Sequence, residues 1–215
     1  MITPFIRNHQ YNVIKKQAKF ILQTLRTVAD RRVLETVRYR AVMNIVEVFP
    51  SLTENQKKIL EQISTFELEH EFQTYLIELE LYLDAYPSIT EKQIQKLFPK
   101  NKKLKIPDLR DLDFRYMTYL RWVDVASNKL FIIYPYDGQF IGVEGRITPT
   151  HKKGFCLFCN QHHELAYFSV KTKTVNGSPD NYSMIGHYVC MESHDCNQSI
   201  TDTGALEKFV LSLRK

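Results

Sequence analysis

Little in this sequence is suited to a flexible tail or a membrane. Among 215 residues there are seven glycines and eight prolines, which excludes a long low-complexity or disordered segment. No apolar run reaches the length of a bilayer span, because Lys or Glu interrupts every candidate. The opening MITPFIRNHQYNVIKK lacks a basic start followed by an apolar block, so the expectation is a soluble, cytoplasmic protein. Nucleophile elbow, P-loop and dinucleotide fingerprint are all missing, which removes the commonest sequence marks of catalysis. Cysteine is scarce: there are four, all after residue 155.

What is present suffices for a packed core. Apolar residues make up 44 % and aromatics 12 %, and the length suits one large or two modest domains. The first third has helical periodicity. Ile14, Ala18, Ile21, Leu25 and Val28 recur at intervals of three and four. Asp30 is placed to cap a second helix whose face is Leu34, Val37, Ala41, Ile45 and Val48, stopped by Pro50. Thr53 and Gln56 form a capping-box pattern ahead of Ile59, Leu60 and Ile63. A fourth stripe runs through Phe72, Leu76, Leu79, Leu83 and Tyr86 to Pro87. Four such helices with short joins predict an antiparallel bundle. The acidic run Glu67, Glu69, Glu71, with His70, fits a solvated helix face.

After Pro87 the pattern changes. Thr90 and Gln93 repeat the capping box ahead of Ile94, Leu97 and Phe98. Strand-like segments follow: YMTYLRWV, KLFIIYPY, an Asp137-Gly138 hairpin signal, and QFIGVEGRI. ELAYFSVKTKT and YSMIGHYVC then bracket a polar loop containing Asn176-Gly177 and Pro179. A last helix has Leu206, Phe209, Val210 and Leu213 on one face. The predicted class is α+β: a helical bundle over 1–86, then an α/β domain over 87–215.

The four cysteines fall in two local pairs, Cys156 with Cys159 and Cys190 with Cys196. In a chain expected to stay in a reducing compartment, that clustering points to metal rather than disulfides. Cys156-Leu157-Phe158-Cys159 has the spacing of a zinc knuckle, and knuckle, hairpin and helix together outline a treble clef. Cys190 ends a strand, and Cys196 is expected just before the final helix. Four thiolates would form a closed, structural zinc site. A Cys₃His site using His194 stays open, as does a redox dithiol at 156 and 159, which lacks a βαβ context. His187 falls in strand register, and the adjacent His162 and His163 are expected in a solvated loop.

Residues 1–86 carry 11 Lys and Arg against 11 Asp and Glu, and residues 87–215 carry 18 against 13. The whole excess of positive charge therefore lies in the second half. Four thiolates and one zinc would lower the formal +5 to about +3. Lys100, Lys102, Lys103 and Lys105 form the densest basic run. It fits either a solvated linker or a contact for an acidic surface or phosphates. Phe155, Phe158, Tyr188 and Phe209 flank the cysteines, as knuckle core or as partner anchors.

Taken in order, WVDVASNK (122–129), FIIY (131–134), GRIT (145–148), KGFCLFCN (153–160), GHYVC (186–190) and CNQ (196–198) resemble the FusB-type elongation factor G-binding proteins. KLKIP (103–107) and HQYN (9–12) extend the resemblance. It implies a helical bundle followed by a treble-clef zinc domain, with no enzymatic activity. It also implies binding to elongation factor G, chiefly through the zinc domain, and in some members release of that factor from ribosomes stalled by fusidic acid. Carried over by position, the zinc ligands are Cys156, Cys159, Cys190 and Cys196, and His194 matches no ligand. Phe155, Tyr188 and Phe209 match partner-facing positions, and Ile185 replaces a lysine there, removing one charged contact. Lys100, Lys102 and Lys103 are further candidates for the encounter. A monomer that binds neither membrane nor nucleic acid directly is expected. The alternative is a zinc-dependent RNA-binding module that uses the lysine run and stacking aromatics.

Overall fold

The structure is a computed structural model that describes residues 2–173 and 182–213. The chain divides into two compact units, Met1–Asp84 and Ala85–Lys215. The Asn176-Gly177 and Pro179 loop lies outside the described residues.

In the first unit the helical stripes become α1 (Asn8–Thr27), α2 (Arg31–Glu47), α3 (Glu54–Glu61) and α4 (Glu69–Leu79). Asp30 caps α2 by accepting from Arg32 N at 2.8 Å. Thr53 and Gln56 exchange both bonds of a capping box at the start of α3. Ile14, Ala18 and Ile21 are buried against α2, where Ala41 and Ile45 are buried in turn. Long polar bonds fix the helices. Gln10 Nε2 donates to Val48 O at 2.9 Å, Tyr11 Oη to Leu76 O at 3.0 Å, and Tyr75 Oη to Leu60 O at 3.2 Å.

The fourth stripe is shorter than its spacing suggested. After Leu79 the chain tightens into a 3₁₀ turn, Glu80–Tyr82, and becomes extended at Leu83. Leu83 is buried by a parallel bridge to Ile6, secured by Ile6 N to Tyr82 O at 3.0 Å and Asp84 N to Ile6 O at 2.9 Å. Backbone bonds to the N-terminal segment thus replace the next helical turn. Tyr86 belongs to the second unit, where its hydroxyl donates to Ile133 O at 3.2 Å.

The second unit is built on an antiparallel meander in the order β1-β2-β3-β4-β5. Its strands are β1 (Leu120–Asp124), β2 (Lys129–Tyr136), β3 (Gln139–Phe155), β4 (His162–Lys173) and β5 (Tyr182–Cys190). Asp137 and Gly138 both have positive φ, 49° and 69°, as a two-residue type I′ hairpin requires. β3 runs past the expected end at Ile147, through a register shift between Pro149 and Lys152. The helices are α5 (Glu91–Leu97), α6 (Ser193–Ser199) and α7 (Gly204–Ser212), and Thr90 with Gln93 caps α5 as its spacing predicted.

Alternation along the strands makes two cores. Leu130, Ile132, Val143, Ile147, Phe168, Val170 and Val189 pack with Leu206, Phe209 and Val210 of α7. On the opposite face Leu120, Phe131 and Ile133 pack with Ile94 and Phe98 around α5. That second cover stops at β3. Farther across the same face, Tyr167, Met184 and Tyr188 are exposed.

At Gly145 the sheet leaves no room for a side chain. A Cβ there would lie 2.4 Å from Ser169 O and 2.6 Å from the Phe168 ring. The carbonyl belongs to the neighbouring strand and cannot swing away. Gly145→Ala is expected to cost about 3 kcal/mol, the upper end of overpacking effects, in urea denaturation.

Candidate metal centre and its surroundings

The knuckle is a turn that the sequence writes directly. Asn160 N donates to Cys156 O at 2.9 Å and Cys156 N to Gln161 O at 3.1 Å, with Asn160 at φ 50°. Asn is one of the few side chains that tolerates this left-handed conformation. Leu157 N donates to Tyr188 O at 2.9 Å, which docks the knuckle beside the end of β5. Cys190 is the last residue of β5. Cys196 lies within α6, not just before the final helix as expected; this short helix turns its sulfur inward.

Cys156, Cys159, Cys190 and Cys196 are all buried, and their sulfurs lie within 4.8 Å of one another. The pairs Cys156–Cys196 and Cys159–Cys190 stand 3.8 and 3.6 Å apart, well beyond the roughly 2.05 Å of a disulfide. His194 is exposed on α6 and outside the cluster, and His187 packs its ring on Phe209. His162 and His163 are in β4, not in a loop. Cross-strand pairing with Phe155 and Gly154 extends the strand over them, and His163 Nε2 lies 3.1 Å from Ser199 Oγ.

The electrostatics around the sulfurs call for a cation inside and donors outside. Hydrogen bonds from the other three thiols pull the Cys156 pKa far below its ordinary value. The same proximity pushes Cys190 and Cys196 well above theirs. Four thiolates at this spacing need a divalent ion between them. Donors face the cluster from outside. Phe158 N and Cys190 N point at Cys156 Sγ from 3.3 and 3.2 Å. Arg121, 4 % exposed, donates through its two terminal nitrogens to Cys190 O at 2.8 Å and Met191 O at 3.1 Å. Its charge is held beside what would be a dianionic Zn(Cys)₄ centre. Tyr119 is fully buried, and its hydroxyl finds no nitrogen or oxygen partner among the described residues. It lies beside Cys196, and burial followed by that thiol's charge holds its pKa well above the usual phenol range. The donor set therefore fits a soft divalent metal that takes four sulfurs and leaves no coordination position for substrate.

Arg121, Tyr119 and Asn197 are the functional residues that motif reading missed. Asn197 accepts from Thr118 N at 2.7 Å and Tyr119 N at 3.3 Å and donates to Tyr119 O at 3.1 Å. A lone Arg inside an otherwise apolar strand, YLRWV, was the one available signal for the first of them.

The aromatics near the cysteines separate. Phe158 is buried, with its ring 5.7 Å from Tyr119. Phe209, expected to face a partner, is 5 % exposed and packs against Phe158, Phe168 and His187. It lies on the apolar stripe of α7 and is core, not the exposed side chain expected. Phe155 and Tyr188 are exposed, 68 and 53 %; the first ring meets His162 and the second Tyr167. Lys100, Lys102 and Lys103 are exposed on a loop anchored through Asn101, whose side chain bonds Glu144 and accepts from Lys129 Nζ at 2.8 Å.

Comparison with known proteins bears on both units. Residues 5–87 match the family model of the elongation factor G-binding protein N-terminal domain. Residues 95–208 match that of the FBP C-terminal treble-clef zinc-finger. No curated protein matches the chain. Among solved structures, that of the fusidic acid resistance protein FusC superposes with a TM-score of 0.82 at 29 % identity, covering 97 % of each chain. With the buried four-cysteine cluster, the treble-clef match assigns this half one structural Zn²⁺.

Cys190→Ser is expected to abolish stoichiometric zinc, read by metal analysis, and to unfold the sheet unit, because structural zinc supplies much of a small domain's folding free energy. Tyr119→Phe removes only the hydroxyl beside Cys196. It should keep the fold while zinc transfer to a chromogenic chelator becomes about tenfold faster, the lower end of effects seen for residues that support metal ligands.

Proposed function

We propose that this chain, which belongs to the elongation factor G-binding protein family, binds elongation factor G without catalysing a reaction and engages it through the zinc-bearing half. Its task in the cytoplasm would be to release that factor from ribosomes stalled by fusidic acid, a reading supported by likeness to a fusidic acid resistance protein. The observation that carries this reading is the pairing of a closed metal site with exposed aromatics on its borders. The four buried sulfurs brace the fold, while Phe155 immediately before the knuckle and Tyr188 two residues before Cys190 stay in solvent. Large aromatic side chains held in place by a rigid scaffold are favoured interface anchors. The lysines at 100, 102 and 103 lie on an anchored loop of the same unit and suit the encounter with an acidic surface.

The four thiols Cys156, Cys159, Cys190 and Cys196 are the zinc ligands in this proposal, and the ion's contribution is rigidity. When bound, zinc cross-links knuckle, strand end and helix; it offers no open position for activated water. The protein residues do the remaining work. Arg121 holds the Cys190–Met191 turn, Phe209 and Phe158 fill the space beneath the knuckle, and Leu157 N fixes it against β5.

Phe155→Ala and Tyr188→Ala should each weaken binding of purified elongation factor G by about 2 kcal/mol, roughly thirtyfold, in calorimetry. Zinc content should stay at one per chain. Replacing Lys100, Lys102 and Lys103 by Ala should chiefly slow association and flatten its salt dependence. Wild-type protein that does not bind the factor would remove the proposed function altogether.

A further inference from the structure

Beyond Tyr188, the open half of the β3–β5 face has no role in the function proposed above. Its make-up follows from strand pairing. Arg146, Ser169 and Gly186 form one row across the three strands, and Thr148, Tyr167 and Tyr188 the next. Lys171 lies opposite Met184. Directly paired residues of an antiparallel sheet share a face. A solvated sheet face ordinarily carries polar side chains. Here Tyr167, Met184 and Tyr188 are 41, 56 and 53 % exposed and lie together.

Gly186 explains the arrangement at the centre. A Cβ there would lie 2.0 Å from Tyr167 Oη and 2.4 Å from its Cζ. Tyr167 therefore leans across β5 into the space that a side chain at 186 would fill. Its ring meets Tyr188 in a T-shaped contact, with centroids 5.4 Å apart. Rings restrained in this way lose little side-chain entropy when a partner arrives. Arg146 and Lys171 are exposed beside them. Glu144, next outward on β3, is 3.5 Å from Lys129 Nζ and bonds Asn101, the residue that anchors the lysine loop.

We infer that this face, with Tyr167 and Met184 at its centre and Arg146 and Lys171 at its flank, docks an acidic protein surface that has an apolar middle. Resting on the function proposed above, the elongation factor is the protein that carries that surface. Tyr and Met are enriched at protein interfaces, and a cationic border suits an acidic partner. A single-stranded nucleic acid fits less well. Met184 offers a base no aromatic face, and a sequence pI near 8.9 falls short of the strongly basic footprint such binders carry.

The test is calorimetry of the full, zinc-loaded chain with purified elongation factor G at two salt concentrations. Arg146→Glu with Lys171→Glu should weaken binding at least about tenfold and remove much of its salt dependence. Tyr167→Ala should weaken it about tenfold at unchanged zinc content. Gly186→Ala, which displaces the Tyr167 ring while leaving its chemistry intact, should reproduce that loss. Wild-type affinity in the charge-reversed and Tyr167→Ala variants, with Phe155→Ala still impaired, would overturn this inference and leave the proposed function standing. Absence of binding by the wild type would overturn both. Tight binding of a twelve-residue oligouridine, lost in Tyr167→Ala, would reassign the face to nucleic acid.

Discussion

Four sulfurs held within 4.8 Å of one another, inside a protein, are untenable as an all-thiolate cluster without a cation. Much of the second unit can be understood as the answer to that one requirement. The knuckle supplies two sulfurs on a turn whose amides already face them. β5 delivers the third at its last residue, and α6 the fourth. A buried arginine and a buried phenol then complete the polar shell. Zinc between four thiolates leaves a net charge of about −2, and Arg121 lies where part of it is neutralised. Arg121 is also why β1, at one end of the strand order, is tied to the turn that follows β5 at the other.

The separation of structural from exposed aromatics follows from the same arrangement. A small zinc domain has few side chains with which to fill its centre, so Phe158 and Phe209 are drawn in beneath the knuckle. Phe155 and Tyr188 are left outside because the metal and the Leu157–Tyr188 backbone bond already fix the chain around them. The two exposed rings are therefore placed by a backbone hydrogen bond and by metal constraints on the chain, not by their own burial.

The legible parts of the sequence were those whose physics is local. Asp30, the Thr53–Gln56 and Thr90–Gln93 boxes and the Asp137-Gly138 turn each satisfy their own backbone within a few residues, and each is present as its pattern suggests. The cysteine pairs were legible for a different reason: thiol spacing has few other uses in a chain of this composition. What escaped depended on distant groups. Leu83 continued a helical spacing, yet Ile6, far back along the chain, offered a bridge. Phe209 looked equally fit for core or surface until the sheet it faces was known. Arg121 and Asn197 act on carbonyls and amides 69 to 79 positions away, and no periodicity encodes such a pairing.

Asn197 has one further consequence, and it concerns the edge of the sheet. Strand order leaves β1 and β5 with one side each unpaired, and unpaired strand edges are templates for association with other chains. Asn197 satisfies the backbone of Thr118 and Tyr119 where the chain enters β1, and Leu157 does the same for Tyr188 on β5. Asn197 is next to Cys196, and Leu157 is next to Cys156. Both guards are thus tethered to zinc ligands by a single peptide bond. Demetallation would free backbone groups at one end of both edges at once, favouring intermolecular strand pairing as well as unfolding.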